Sequence, residues 1–190
     1  MSEERVEQVI GGVRDFVANR AADGFDTHFR RASRTCESPI EVMLMAGLYQ
    51  AAIDDGLHQF MDSRGGPYFC APEDAGIRLD GRPEEGIFIC PQVVIGDYRV
   101  DFLVSYVSHP DPTVRFAVEC DGHDFHEKTK EQAQRDKARD RILQSTGLNV
   151  FRFTGREIYA DPVKCGREVC GAARDASWRL YLARSGRPPR

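Results

Sequence analysis

Residues 87–123 read IFICPQVVIGDYRVDFLVSYVSHPDPTVRFAVECDGH, and the fold class is decided here. Ile87–Ile95 and Tyr98–Val107 are β-patterned runs on either side of Gly96-Asp97, a two-residue hairpin loop with glycine in first place. Ser108-His109-Pro110-Asp111-Pro112 makes the next turn, and Thr113–Cys120 reads as a third strand ended by Asp121-Gly122. Downstream, a polar helix is expected from about Glu127 to Gln144, with Gly147 just past its end. A short strand, Leu148–Phe153, follows and is bounded by Gly155. Strand, helix and strand form a β-α-β unit, so the third and fourth strands should run parallel. The expected architecture is α/β, a mixed sheet flanked by helices.

Upstream of this stretch, Ser38-Pro39-Ile40-Glu41 carries helix-start signals: Ser at the cap, Pro in the first turn, Glu three residues after the cap. Ile40, Met43, Leu44, Leu48, Ala51 and Ala52 line one side of the helix, which should stop near Gly56. Gly65 to Gly86, rich in Gly and Pro, reads as a loop. Val6, Val9, Ile10, Val13, Phe16 and Val17 give an amphipathic helix over Glu4–Ala18, and Phe25, Phe29 and Ala32 suggest another. At the other end Val163–Ala183 looks helical, and Ser185–Arg190 is a basic tail. The expected division is an N-terminal helical extension packed on the core (1–37), a main domain (38–184) and the tail (185–190).

With 190 residues, 41% apolar and 29% charged, the chain suits one well-packed domain. No apolar run approaches the ~20 residues that cross a bilayer, and Met1–Gly11 has no basic-then-apolar leader, so a cytoplasmic protein is expected. The six cysteines are scattered without a C-x-x-C pair and read as reduced thiols. A net charge of −4 conceals a split. Residues 1–121 carry 11 Arg and no Lys against 21 acids, whereas residues 122–190 carry 15 bases against 9 acids. The resulting −10 and +6 point either to a polyanionic partner for the C-terminal part or to two oppositely charged solvated surfaces.

Counting outward from the hairpin loop pairs Ile95 with Tyr98, Val94 with Arg99, Val93 with Val100 and Gln92 with Asp101. On the third strand Arg115, Ala117, Glu119 and Asp121 share a face, while Phe116, Val118 and Cys120 point the other way. An acid amid Tyr-Arg-Val-Asp-Phe-Leu-Val and another in Phe-Ala-Val-Glu-Cys are costly if buried unpaired. Two acids on adjacent strands repel unless a divalent cation or a basic group lies between them. Arg135, Arg139, Arg141 and Arg152 are available as such basic partners.

Asp101, then Glu119-Cys120-Asp121-Gly122-His123, then Arg135-Asp136-Lys137-Ala138-Arg139-Asp140-Arg141, then Val150-Phe151-Arg152-Phe153, resembles the PD-(D/E)XK nuclease superfamily. The likeness is closest to its DUF559 and very-short-patch-repair endonuclease-like branch, and it runs from Ser38 to about Pro162. It implies a restriction-endonuclease-like mixed β-sheet flanked by helices, here with an N-terminal helical extension, and a metal-dependent DNA endonuclease. It also implies Mg²⁺ (Mn²⁺ as substitute) held by Asp101 and Glu119, with the Cys120 carbonyl and Glu41 completing the site. The Ser38-x-x-Glu41 capping box competes for Glu41. Where the superfamily usually has Lys, this chain has Asp121, so the catalytic positive group must come from elsewhere. His126 comes first and Lys128 next, with His123 and Lys130 as further candidates. Gln92 and Gln132 could line the site, and Lys130, Arg135 and Arg139 could meet DNA phosphates.

No P-loop, G-x-S-x-G, H-E-x-x-H or Rossmann fingerprint occurs. The alternative to an enzyme is an inactive nuclease-fold domain, its site decayed at Asp121, that binds nucleic acid or docks a partner. The sequence does not set the oligomeric state and is compatible with a homodimer.

Overall fold

A computed structural model of the protein describes residues 32–54, 68–70, 72–76, 85–108, 112–121, 134, 139, 141–143 and 145–186. The chain divides into Met1–Arg34 and Thr35–Arg190, and the architecture below is that of the second unit. The helices expected over 4–18 and around Phe25–Phe29 lie outside the described residues.

Five strands form one mixed sheet in sequential order: β1 (Tyr68–Phe69), β2 (Gly86–Ile95), β3 (Tyr98–Val107), β4 (Val114–Asp121) and β5 (Asn149–Thr154). β2, β3 and β4 are antiparallel neighbours, while β1 runs parallel to β2 and β5 parallel to β4. The helices with complete described spans are α1 (Pro39–Asp54), α2 (Gly155–Ala160) and α3 (Pro162–Ser185). This is the α/β mixed sheet flanked by helices expected from the order of elements, consistent with the restriction-endonuclease-like architecture that the resemblance implies.

The hairpin forms as its loop dictates. Gly96 has φ 60°, and the pairs Ile95↔Tyr98, Val94↔Arg99 and Val93↔Val100 follow. The parallel β4–β5 pair needs a crossover, and helical residues including Arg139 and Leu143 belong to it. It ends as expected at Gly147, whose φ of 78° lets Leu148 N–H reach back to the Leu143 carbonyl at 3.4 Å. Leu143 is fully buried and packs with Cys90, Val93, Val100, Leu103 and Ala117 on one side of the sheet.

That cluster contains an irregularity. Cys90 and Val93 are three apart, as are Val100 and Leu103, and a strict two-residue period would put each pair on opposite faces. The step coincides with Gln92, which has φ 54°, the left-handed region that non-glycine residues seldom occupy. The flanking pairs Pro91↔Phe102 and Val93↔Val100 leave Gln92 opposite Asp101, so the register survives while the pleat breaks. The break falls where the two candidate site residues meet.

α1 is apolar nearly all round, and Leu44, Met45, Leu48 and Ala51 are inaccessible to solvent. Such a helix has to be enclosed. Its closest neighbour is α3, met backbone to backbone at two glycines. A Cβ on Gly47 would lie 2.0 Å from the Pro162 carbonyl oxygen, and one on Gly166 would lie 2.3 Å from the Gly47 carbonyl oxygen. Only hydrogen fits at either place. α3 also packs against β3 and β4, so α1 is tied through it to the sheet.

Two elements differ from expectation. The segment read as a loop from Gly65 to Gly86 contains β1 and a 3-10 turn at Pro72–Asp74. A two-residue strand is too short to show any periodicity, and pairing with β2 creates it. α2 is also additional, and it carries a capping box in Thr154-Gly155-Arg156-Glu157. Thr154 Oγ1 accepts from Glu157 N–H at 3.3 Å, and Glu157 Oε2 accepts from Thr154 N–H at 2.8 Å.

Candidate active site

Three elements bring acids to one place. Asp101 lies near the start of β3, Glu119 near the end of β4 and Glu41 in the first turn of α1. The β3–β4 register ends at Phe102↔Val118, so one step further sets Asp101 against Glu119. Instead of a ladder bond at that rung, Asp101 Oδ2 accepts the Cys120 N–H at 2.7 Å, which holds the carboxylate beside β4. Glu41 is buried and accepts three hydrogen bonds at 2.8 Å each, from Ser38 Oγ–H, Glu37 N–H and Gln92 Nε2–H. It therefore caps α1 and faces the site at the same time, the two roles that competed in the sequence. Gln92 reaches Glu41 rather than Asp101, and so ties the irregular turn of β2 to the helix.

Arg139, from the crossover, enters this group. Its Nη2 donates to Glu119 Oε1 at 2.5 Å and to the Arg99 carbonyl at 2.7 Å. The Arg99 side chain in turn pairs with Glu37. Arg152 stands in register beside Glu119 on β5, and its charge favours the ionised carboxylate. These are two of the four arginines that the sequence offered as partners for the acids.

The electrostatics are those of negative charge confined out of water. Burial, opposed by Arg139 and reinforced by Asp101, pushes the Glu119 carboxyl up to about 7. Arg139 pairs closely with Glu119 and Arg152 adds to it, yet the direction is still upward, because the buried carboxylate loses more hydration than the two arginines restore. Asp101 is raised by burial, with the Cys120 amide opposing and Glu41 adding. Burial also pushes Cys36 up to about 12, with Glu41 and Asp101 adding. Cys120 is raised by burial first and then by Asp101, Glu41 and Cys36. Cys36 thus belongs to the site's surroundings, which no spacing in the sequence signalled.

Asp121 closes β4, in register with Thr154, and its charge acts on Glu119. His123, His126, Lys128, Lys130, Gln132 and Arg135 lie outside the described residues. Arg139, expected among phosphate-facing residues, has its guanidinium turned inward onto Glu119. A cavity of about 550 Å³ lies elsewhere, lined by Phe116, Phe151, Arg152, Ala172, Ala176 and Arg179, among others. Arg152 lines this cavity and also stands beside Glu119.

The model of one protein family, REase_MTES_1575, matches residues 83–172, the span from just before β2 into α3. The match supports a restriction-endonuclease-like nuclease. It covers Gln92, Asp101, Glu119, Cys120, Asp121 and Arg139, whereas Glu41 and α1 lie outside it. No curated protein and no solved structure matches the chain.

Such nucleases imply a divalent cation, and the donor set can be tested against one. Asp101 and Glu119 offer carboxylate oxygens, and Gln92 Oε1 is a buried acceptor with no hydrogen-bond partner among the described residues. Oxygen donors around clustered negative charge fit a hard cation such as Mg²⁺ or Mn²⁺. Among the described residues, no three His, Cys, Asp or Glu side chains come together closely enough to hold a metal, and Arg139 takes one of the Glu119 oxygens. The chemistry fits.

Proposed function

We propose that the protein is a Mg²⁺-dependent endonuclease hydrolysing phosphodiester bonds in DNA, of the DUF559 and very-short-patch-repair-like branch, acting in the cytoplasm. Residues 38–184 are assigned the activity. The observation that carries this reading is the juxtaposition of Asp101 and Glu119 on adjacent strands, inside the family match. Asp101, Glu119 and the Cys120 carbonyl would hold the cation, with Glu41 behind them. When bound, the cation supplies Lewis acidity toward the phosphate and a more acidic water.

The chain's own groups do the remaining work. The Cys120 amide keeps Asp101 in one orientation, and the three donors on Glu41 keep a second negative charge close to it. His126 is the proposed proton carrier for the leaving oxygen, with Lys128 to steady developing charge. Gln92 lines the site, and Lys130 and Arg135 hold substrate phosphates. Asp121 extends the negative field at the end of β4.

The test is nicking of supercoiled plasmid with and without Mg²⁺ by wild type, Asp101→Ala and Glu119→Ala. Wild type should cut only with metal, and each variant should lose activity on the order of a thousandfold, as removal of several kcal/mol of charge stabilisation requires. Equal rates in all three proteins, or none above an EDTA-treated blank, would reject the reading. One observation favours the second reading, a catalytically inactive domain that binds nucleic acid or a partner: Arg139 already fills part of the acidic site. For that reading, Mn²⁺ should leave the melting temperature unchanged.

A further inference from the structure

Arg139 is an ill-matched partner for Glu119. A guanidinium carries five donors and meets a carboxylate best through two parallel bonds. Among the described residues Nη2 alone is used, shared between Glu119 Oε1 and the Arg99 carbonyl, while the buried Nε has no hydrogen-bond partner among them. The arginine side chain remains about 25% exposed, against 8% for Glu119, so its outer end can leave by way of solvent. Arg139 acts on both Asp101 and Glu119, with Arg99 adding at Asp101 and Arg152 at Glu119, and Glu41 lies close enough to raise Asp101.

We propose that Arg139 is a resident counter-ion of the acidic site, holding Glu119 while no divalent cation is present and displaced from it when one binds. This rests on the metal-dependent reading above and adds its regulation. Arg139 is a positioning residue in this role. It keeps buried Glu119 ordered in the metal-free protein, and it competes with the cation for the same carboxylate oxygen. A divalent ion prevails because it carries twice the charge and takes oxygen ligands from several acids at once. The incomplete bonding of the guanidinium makes the exchange easy, and the price is a weaker apparent affinity for metal.

The experiment is titration of metal-free protein with Mn²⁺, followed by the electron paramagnetic resonance signal of free Mn²⁺. Wild type, Arg139→Gln, Arg139→Lys and the double variant Arg139→Gln with Glu119→Gln are compared, with circular dichroism confirming each fold. Removing the competitor should tighten Mn²⁺ binding about tenfold, in the range of ordinary coupling between sites. Lys keeps the charge on a shorter side chain that reaches Glu119 less closely, so Arg139→Lys should fall between Gln and wild type. The double variant should lose the gain. Unchanged or weaker binding by a folded Arg139→Gln, with wild type binding Mn²⁺, overturns the role of Arg139 and leaves the metal reading standing. No Mn²⁺ binding by any of the proteins overturns both. Should Arg139→Gln not fold, the comparison of Arg139→Lys with wild type decides, and equal affinities overturn the proposal.

Discussion

Gln92 shows how much one residue organises. Its left-handed backbone breaks the pleat of β2 opposite Asp101, and its amide reaches across to Glu41 on a different element. A strand glutamine is otherwise indistinguishable from a surface residue, so the sequence supported its facing Asp101 but not its bond to the helix. Cys36 is the reverse case, since nothing local marks it and only packing puts it near two acids. Its raised pKa has a testable consequence. The thiolate is the species that alkylates, and burial first, then the charges of Glu41 and Asp101, disfavours it, so native Cys36 should react slowly with iodoacetamide at pH 8. Asp101→Asn removes one of those charges, lowers the thiol pKa and should speed the reaction a few-fold. Mass spectrometry of the Cys36 peptide reads the rate, and no change would mean that Asp101 does not act on Cys36.

Among the elements, α1 carries the most consequence for the site, because Glu41 sits in its first turn. The Ser38-Pro39-Ile40-Glu41 signature was legible, and so was the apolar side that follows. The close crossing with α3 was not, because a lone glycine in a helix pattern says nothing of which backbone approaches it. Gly47→Ala forces a methyl group against the Pro162 carbonyl, and overpacking of this kind costs about 1–3 kcal/mol. A shift in the urea midpoint measures it. A variant as stable as wild type would contradict the close approach. The same contrast separates α2 from β1. The Thr154–Glu157 box stood in the sequence for anyone looking after β5, whereas β1 has no local signal and exists through its partner strand.

At the scale of the whole molecule, the charge division at Asp121 coincides with the end of β4 and of the acids gathered there. The bases after it include Arg139 and Arg152, which act on Glu119, so part of the positive half compensates the negative half internally. If the remaining bases meet phosphates, DNA binding should weaken on the order of a hundredfold between about 50 and 200 mM salt, because bound counter-ions are released. Filter binding with the metal withheld measures the slope, and salt-insensitive binding would count against a phosphate-facing basic surface. Among the described residues no helix is long and apolar enough to cross a membrane. By itself, the sequence determined the order of strands and helices, the hairpin register, the parallel β4–β5 pair and the identity of the two strand acids. Each of these follows from turn chemistry, strand alternation or the right-handed crossover, which act over a few residues or one connection. Only the tertiary structure decided that Glu41 bonds to Gln92, that α1 and α3 touch through glycines and that Arg139 turns inward to Glu119. Those contacts join residues 20 to 119 positions apart, and burial of charge and of backbone sets them, which no local pattern encodes.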